Sequence, residues 1–250
     1  MPKIPKCRLD TLLVEKGLAA SRHKAQALIM AGRIMVDGLR AEKPGQSIPC
    51  DADLSVEEEF PYVSRGGLKL EGALNAFAID VSGLVVLDAG ASTGGFTDCL
   101  LQRGAQRVVA VDVGYGQLDW KLRNDLRVTM MERRNIRFFS QDDLPCPIDA
   151  AVADLSFISL KVVLPALAAM LQPGKWLLAM VKPQFEVGRP SVGKGGVVRD
   201  PEKIREAVES VKTFAQTHGF KVLGEVESPI RGPKGNREFF LYLTREAPRS

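Results

Sequence analysis

Three charged side chains fall near the predicted ends of strands and a fourth borders the apolar face of a helix, and together they could activate a hydroxyl group. Asp154 and Lys182 each follow a short apolar run, and Glu238 precedes one. Lys69 lies one turn before Ala73 on a predicted helix, at the border of its apolar face. A lysine accepts a proton only while it is neutral, and burial or a second nearby cation favours that form. Two lysines with two carboxylates to orient them therefore suit proton transfer.

The elements that must position these residues alternate in type from position 64 onward, which is typical of a doubly wound α/β sheet. We expect strands at 84–87, 107–111, 127–131, 150–153 and 175–181, with helices near 95–103, 117–124, 160–171 and 201–217. Two further strands, 221–226 and 237–243, predict a hairpin at one edge of the sheet. Ligands of such sheets bind at the carboxyl ends of the strands, where Asp154 and Lys182 fall.

A loop with three glycines follows the first predicted strand of this sheet, with the sequence D-A-G-A-S-T-G-G-F over 88–96. Glycines let the backbone turn tightly and approach a ligand. Asp112 ends the next strand, where its carboxylate could accept hydrogen bonds from ribose hydroxyls. The loop lacks the spacing of a dinucleotide site, because position 92 is Ser, and no Lys-Ser/Thr follows the glycines as a P-loop requires. The pattern favours S-adenosylmethionine, an adenosine-bearing cofactor without a pyrophosphate.

The charge distribution sets the first 60 residues apart. Residues 1–48 contain nine Lys and Arg against four acidic residues, whereas residues 49–60 contain five acidic residues and no base. A basic segment followed by an acidic one suggests a small anion-binding module tied to a larger domain. The pattern predicts a first helix that Gly17 stops, a second helix that Ser21 caps, and a hairpin turn at Asp37-Gly38.

These motifs resemble known families. Over about residues 6–55 the chain resembles the S4 RNA-binding domain, and the matching positions include Arg8-Leu9-Asp10, Gly17-Leu18-Ala19, Ser21-Arg22, Val36-Asp37-Gly38 and Lys43-Pro44-Gly45. The four charged residues resemble the K-D-K-E tetrad of FtsJ-like ribose 2′-O-methyltransferases, in the same chain order. Segments 64–70, 154–159 and 181–186 are closer still to the TlyA family of ribosomal RNA cytidine 2′-O-methyltransferases, some of which carry a haemolysin label.

The resemblance implies a fold and a domain organisation. We expect a Rossmann-like class I methyltransferase domain of α/β type over 65–250, which uses S-adenosylmethionine. An α+β S4 RNA-binding domain is expected over 1–59, and a linker over 60–64. The family implies large-subunit ribosomal RNA as the common target and small-subunit RNA as a second one.

The resemblance also implies residue roles. Lys182 is expected to be the base or hydroxyl activator, with Lys69 and Glu238 positioning it and the ribose, and with Asp154 holding it near the methyl donor. The residues expected to hold the cofactor are Gly90, Ala91, Ser92, Thr93, Gly94, Gly95, Phe96, Asp112, Asn135 and Asp154. Asn135 is expected beside adenine, with 141–143 as the alternative. The residues expected to contact RNA are Arg8, Arg22, Lys24, Arg33, Arg65, Arg189 and Lys194.

Composition limits the remaining classes. The chain has 250 residues, of which 45% are hydrophobic and 26% charged, as in ordinary globular proteins. The longest apolar stretch, 162–171, is about half the length that a bilayer span needs, so we expect no membrane partner. The start of the chain does not read as a secretory signal, which predicts a cytoplasmic location. The cysteines are scattered and predict neither a metal site nor a disulfide framework; they are Cys7, Cys50, Cys99 and Cys146.

Four other functions compete with ribose methylation. An amino-methylating enzyme usually carries an N/D-P-P-Y/F motif, and residues 154–157 lack the prolines. A carbon-methylating enzyme needs a catalytic cysteine, and neither Cys99 nor Cys146 has a supporting motif. The complete tetrad argues against a non-catalytic RNA-binding or ribosome-assembly factor. A haemolysin-like, membrane-active protein would need a long apolar or basic amphipathic segment, which the sequence lacks.

Overall fold

A computed structural model of the chain describes residues 5–30, 33–41, 43–56, 61–188, 191–193, 195–232 and 234–247. The chain divides into two compact units, Met1–Phe60 and Pro61–Ser250. No helix in the described ranges is both long enough and apolar enough to cross a membrane.

The N-terminal unit is a small α+β fold, as predicted. Its elements are β1 (Lys6–Arg8), α1 (Leu9–Glu15), α2 (Arg22–Met30), β2 (Ile34–Val36), β3 (Leu39–Arg40), β4 (Ser47–Pro49) and β5 (Leu54–Val56). Strand β1 pairs with β4, and β2 lies between β3 and β5. The predicted helix boundaries are confirmed, because α1 ends just before Gly17 and the Ser21 hydroxyl accepts a hydrogen bond from the Lys24 amide. Asp37 and Gly38 both have positive φ, as a tight hairpin turn requires.

One prediction about this unit is wrong, because Cys7 and Cys50 form a disulfide. The two residues are 43 positions apart in the sequence, and spacing alone gave no reason to join them. The antiparallel pairing of β1 with β4 sets Cys7 opposite Ile48, which brings the two Cα atoms to 5.2 Å. Cys99 and Cys146 are free.

The large unit contains a seven-stranded sheet with helices between its strands. Its elements are α3 (Gly66–Ala76), β6 (Val85–Ala89), α4 (Gly95–Gln102), β7 (Arg107–Val111), α5 (Trp120–Arg123), β8 (Val128–Met131), β9 (Ala150–Ala153), α6 (Leu160–Met170), β10 (Trp176–Val181), α7 (Pro183–Glu186), α8 (Pro201–Thr217), β11 (Phe220–Glu227) and β12 (Phe239–Arg245). The strand order is β11-β12-β10-β9-β6-β7-β8. The five strands from β10 to β8 are parallel, and β12 runs antiparallel to both of its neighbours. The predicted Rossmann-like sheet and its edge hairpin are confirmed.

Apolar residues cover both faces of this sheet, which explains the continuous apolar runs of the central strands. Leu87, Ala151 and Leu177 lie in the core on one face, and Val86, Val152 and Leu178 lie in the core on the other. The central strands are therefore mostly apolar, although Asp88 is buried within β6.

Candidate active site

The strand register brings the polar residues at the strand ends to one edge of the sheet. Val181 at the end of β10 is opposite Phe239 at the start of antiparallel β12. Lys182 and Glu238, the next residues outward on each strand, consequently lie at the same edge. Asp154 follows β9, the parallel neighbour of β10 on the other side. An antiparallel strand can thus bring its first residues to the carboxyl ends of parallel strands.

The four tetrad residues form two ion pairs. Lys182 Nζ lies 2.6 Å from Asp154 Oδ1 and donates a hydrogen bond to Ser156 Oγ at 2.8 Å. Lys69 Nζ donates to Glu238 Oε2 at 2.6 Å. The side chains of both lysines are only 9% exposed, and that of Glu238 is 2% exposed. Each lysine therefore faces a carboxylate.

Lys69 is positioned by the segment that precedes α3. The Tyr62 ring packs so closely on Gly67 that a Cβ there would overlap it. The Tyr62 hydroxyl donates to Glu71 Oε1 at 2.9 Å, and the Val63 amide donates to the Asp98 carboxylate at 2.9 Å. Burial raises the pKa of Tyr62, which keeps the phenol protonated as a donor. Tyr62 belongs to the core of the large unit, although the sequence predicted a linker there.

A cavity of about 470 Å³ lies beyond the ends of β6, β7 and β9. Gly90, Asp112, Asn135 and Asp154 line it. Gly90 has a φ of +89°, and a Cβ there would come within 2.7 Å of the Asp154 carbonyl oxygen, so no other residue fits without movement. The Asp112 carboxylate accepts hydrogen bonds from the amides of Ser92 and Gly114.

The other residues of the glycine loop differ in whether they face the cavity or pack against the rest of the protein. Ser92 lines the cavity, whereas Gly94 packs against Leu118 and Leu122 and Phe96 packs against Phe240. Gly95 packs against Ser64, and the Ala91 and Thr93 carbonyls accept hydrogen bonds from the amides of Gly94 and Asp119. Within β6, burial raises the pKa of Asp88 to about 7, while Thr97 donates a hydrogen bond to its carboxylate. Only part of the predicted loop set thus faces the cavity.

The two predicted neighbours of adenine differ in whether they line the cavity. Asn135 lines the cavity, and its side chain also accepts a hydrogen bond from the Arg137 amide. The alternative segment, Gln141–Asp143, forms a short 3-10 turn and is not among the residues that line the cavity.

A second cavity, of about 310 Å³, lies beside the first. Lys182, Glu238 and Gln184 line it, and Ser156 and Phe157 line both cavities. Phe157 has a φ of +65°, is 91% exposed and contacts the Phe185 ring at a centroid distance of 5.4 Å. Sequence reasoning missed Phe157 and Gln184, although both lie within segments that carry the family resemblance.

The predicted RNA-contacting residues of the N-terminal unit surround one buried carboxylate. Asp10 accepts hydrogen bonds from Arg8, Arg22 and Gln26. The Arg8 hydrogen bonds hold the pKa of Asp10 well below its usual range. Lys24 is exposed in the first turn of α2.

The remaining predicted RNA contacts are less defined. Arg33 is half-buried, and Arg65 is exposed and donates a hydrogen bond to the Arg231 carbonyl. Arg189 and Lys194 lie outside the described residues. Within the described parts of the chain, no group of three or more His, Cys, Asp or Glu side chains is arranged to hold a metal ion.

Comparison with known families now adds to this geometry. The family model for FtsJ-like methyltransferases matches residues 62–245, which is more than half of the chain. The chain belongs to the FtsJ-like methyltransferase family. The model for S4 domains matches residues 7–49 of this FtsJ-like methyltransferase. Both resemblances in the sequence are therefore confirmed.

Relatives of this FtsJ-like methyltransferase match it over almost their full length. It is 50% identical over 247 residues to the 16S/23S rRNA (cytidine-2'-O)-methyltransferase TlyA of Mycobacterium tuberculosis, covering 98% of this chain and 92% of the relative. It is 39% identical over 240 residues to Hemolysin A of Brachyspira hyodysenteriae, covering 94% of this chain and 99% of the relative. A solved structure from Streptococcus thermophilus, provisionally described as a hemolysin, matches with a TM-score of 0.76 at 45% identity, covering 98% and 90% of the two chains.

Proposed function

We propose that this methyltransferase transfers a methyl group from S-adenosylmethionine to the 2′-hydroxyl of a cytidine in ribosomal RNA. One observation carries the proposal: a buried ion pair joins the two cavities. Lys182 lines the smaller cavity, and its partner Asp154 lines the larger one. A methyl donor in one cavity and a ribose in the other would then meet at the same pair of side chains. The printed name of the M. tuberculosis relative supports the same reaction.

The larger cavity suits S-adenosylmethionine. Its volume of about 470 Å³ lies within the usual range for cofactor pockets, about 300–1000 Å³. Asp112 offers carboxylate oxygens for ribose hydroxyls, and Asn135 and Ile136 line the side assigned to adenine. Asp154 Oδ1 is buried at the border of this cavity, 2.6 Å from Lys182 Nζ. When bound, the cofactor supplies an electrophilic methyl group on a sulfonium ion.

The tetrad would orient the ribose and remove its proton. Lys182 Nζ binds the 2′-oxygen and, in its neutral form, accepts the hydroxyl proton while the oxygen–carbon bond forms and the sulfur–carbon bond breaks. Asp154 then balances the new positive charge on Nζ from 2.6 Å away. Glu238, fixed by Lys69, holds the ribose from the wall of the smaller cavity beside Lys182. In-line positioning of two reactants in adjoining cavities supplies much of the rate enhancement.

Cationic side chains would bind the RNA phosphates, and an exposed aromatic ring would stack on a base. Arg8, Arg22 and Lys24 in the N-terminal unit offer half-exposed or exposed positive charge to phosphates. Arg33, Arg65, Arg189 and Lys194 complete the proposed contacts. Phe157 presents an aromatic face beside the smaller cavity, where an unstacked base can pack. The proposed substrate is large-subunit RNA, with small-subunit RNA as a second one, and the proposed place of action is the cytoplasm, where ribosomes assemble.

Methyl transfer to ribosomal subunits that lack the modification tests this proposal. Purified enzyme, labelled S-adenosylmethionine and each subunit are combined, and the labelled nucleotide is mapped for 2′-O-methylation. Loss of the general base predicts that Lys182→Ala lowers turnover by about 10²–10⁴-fold while cofactor binding is kept. Lys161→Ala, on α6 outside both cavities, is the matched control and should retain full turnover.

Two outcomes would contradict the proposal. If wild-type protein binds the cofactor but labels neither subunit, the chain acts on another RNA or only binds RNA. If Lys182→Ala retains full turnover, Lys182 is not the group that activates the hydroxyl.

A further inference from the structure

The smaller cavity contains one amide oxygen whose role the tetrad does not explain. Most polar side chains that line this cavity already have partners within the protein. Lys182 is bound to Asp154 and Ser156, and Glu238 is bound to Lys69. These contacts account for the chemistry of the ribose side of the cavity.

Asn236 provides an internal comparison, because it is a second amide on the same wall. Its Oδ1 accepts a hydrogen bond from the Val198 amide at 3.0 Å, and its Nδ2 donates to the Gly196 carbonyl at 2.9 Å. Both ends of this buried amide therefore tie the loop around 196–198 to the segment before β12. Asn236 has a structural role that leaves neither polar atom of the amide unused.

Gln184 differs from Asn236 in this respect. Its Oε1 is buried, and it has no hydrogen-bond partner among the described residues. A buried acceptor without a partner is destabilising, so proteins retain few of them without a reason. Glu186 anchors the same short helix, because it accepts hydrogen bonds from the Ser159 hydroxyl and the Leu160 amide at the start of α6. The short helix that carries Gln184 at the cavity wall is thus anchored to the start of α6.

The surroundings of Gln184 suit a nucleobase. Phe157, Phe185 and Val192 line the same cavity and provide apolar and aromatic surface. Enzymes that act on an extruded nucleotide stack its base between such side chains and read its edge by hydrogen bonds. A volume of about 310 Å³ leaves room for a pyrimidine base together with its ribose beside Lys182.

We propose that Gln184 determines base specificity by accepting a hydrogen bond at Oε1 from the exocyclic amine of the target cytosine. This inference rests on the proposed ribose methylation and adds to it the group that selects the nucleotide. Cytosine presents an amine donor at the position where uracil presents a carbonyl acceptor. The same buried oxygen that binds cytosine would oppose the uracil carbonyl, with no water to separate the two acceptors.

The test compares cytidine with uridine at the mapped methylation position of otherwise identical ribosomal subunits. Wild-type enzyme should have a kcat/KM at least about tenfold higher on cytidine, since one buried hydrogen bond is worth about that factor. Gln184→Met keeps the length of the side chain and removes the acceptor. It should lower kcat/KM on cytidine about tenfold, change the value on uridine little, and bring the ratio close to one. Gln184→Glu retains an acceptor and should retain the preference for cytidine.

The controls separate base selection from folding and from the underlying reaction. Gln216→Met, on the exposed side of α8, should leave both rates unchanged. Cofactor affinity of Gln184→Met should equal that of wild type, because the residue does not line the larger cavity. A Gln184→Met variant that keeps the wild-type ratio overturns the inference, even if both rates fall together. Equal wild-type rates on cytidine and uridine overturn it while ribose methylation stands, whereas absence of any wild-type ribose methylation overturns both.

Discussion

The two units of the chain differ in how exposed the cations are that pair with their buried carboxylates. In the N-terminal unit Asp10 is fully buried, but the side chains of its partners Arg8 and Arg22 remain 51% and 56% exposed. In the large unit Glu238 and its partner Lys69 are both enclosed. The first arrangement fixes cations at a surface, and the second removes an entire ion pair from water.

Under the proposed function, this difference separates the residues that bind RNA from those that act in methyl transfer. A guanidinium that is held from behind by a carboxylate keeps donors free for a phosphate, and its orientation is set before RNA arrives. An enclosed ammonium acts in a region of low dielectric, where its field on a reacting atom is much stronger than in water. The exposure of the cation, rather than the presence of an ion pair, therefore indicates which of the two tasks a charged cluster performs.

The largest expected effect comes from breaking the enclosed pair. Glu238→Gln leaves the Lys69 ammonium buried opposite a neutral amide, and removing one partner of a buried pair costs about 3–5 kcal/mol. Urea denaturation of the full chain measures the change. Glu206→Gln is the matched control, because its ion pair with Lys203 is exposed on α8 and should contribute nothing measurable. If both variants lose the same free energy of unfolding, the enclosed ion pair is no more important to stability than the exposed one.

A smaller effect is expected from Asp10→Asn, because its arginine partners stay hydrated. Loss of the charge-assisted hydrogen bonds should speed amide hydrogen exchange in α1 and α2 of the full chain about tenfold at pH 6. Since the folded state holds the pKa of Asp10 below its unfolded value, this stabilisation is present at neutral pH and is lost as the pH falls below about 4. The difference in amide exchange rate between wild type and Asp10→Asn should therefore become smaller in acid.

The comparison for Asp10 needs a carboxylate on the same helix without such partners. Glu15→Gln lies on α1 and is exposed, so exchange in α1 and α2 should match wild type at both pH values. If the difference in exchange rate between wild type and Asp10→Asn stays constant down to pH 2, the charge of Asp10 does not stabilise the fold of this unit.

The smallest expected effect is a difference in RNA affinity between two substitutions, and it rests on the proposed RNA binding. One removes Arg22, which is paired with Asp10, and the other removes the exposed Lys24. Arg22→Ala and Lys24→Ala each remove one phosphate contact, so each should reduce the slope of log affinity against log salt by about one. Arg22→Ala should lose more affinity, by about threefold, because the Asp10 carboxylate already orients its guanidinium. Filter binding to ribosomal RNA over a salt series measures both. Identical losses would mean that orientation by Asp10 contributes nothing to binding.

Much of the fold and part of the site could be predicted from sequence because they depend on local patterns. Apolar runs located the strands, and the Asp200-Pro201 pair located the start of α8, where the Asp200 side chain accepts a hydrogen bond from the Glu202 amide. Residues that interrupt a pattern, such as Lys182 after an apolar run, were visible for the same reason. Gln184 and Phe157 interrupt no pattern, so nothing in the sequence beyond the family resemblance of their segments indicated their position at the cavity wall.

The sequence by itself determined the alternation of strands and helices, the glycine loop and the candidate charged residues, since each depends on neighbours within a few positions. Only the tertiary structure decided which of those charges meet. The antiparallel entry of β12 beside β10 placed Glu238 next to Lys182, and the pairing of β1 with β4 joined Cys7 to Cys50. Such contacts join residues far apart in the chain, and their distances follow from strand register, which no local spacing encodes.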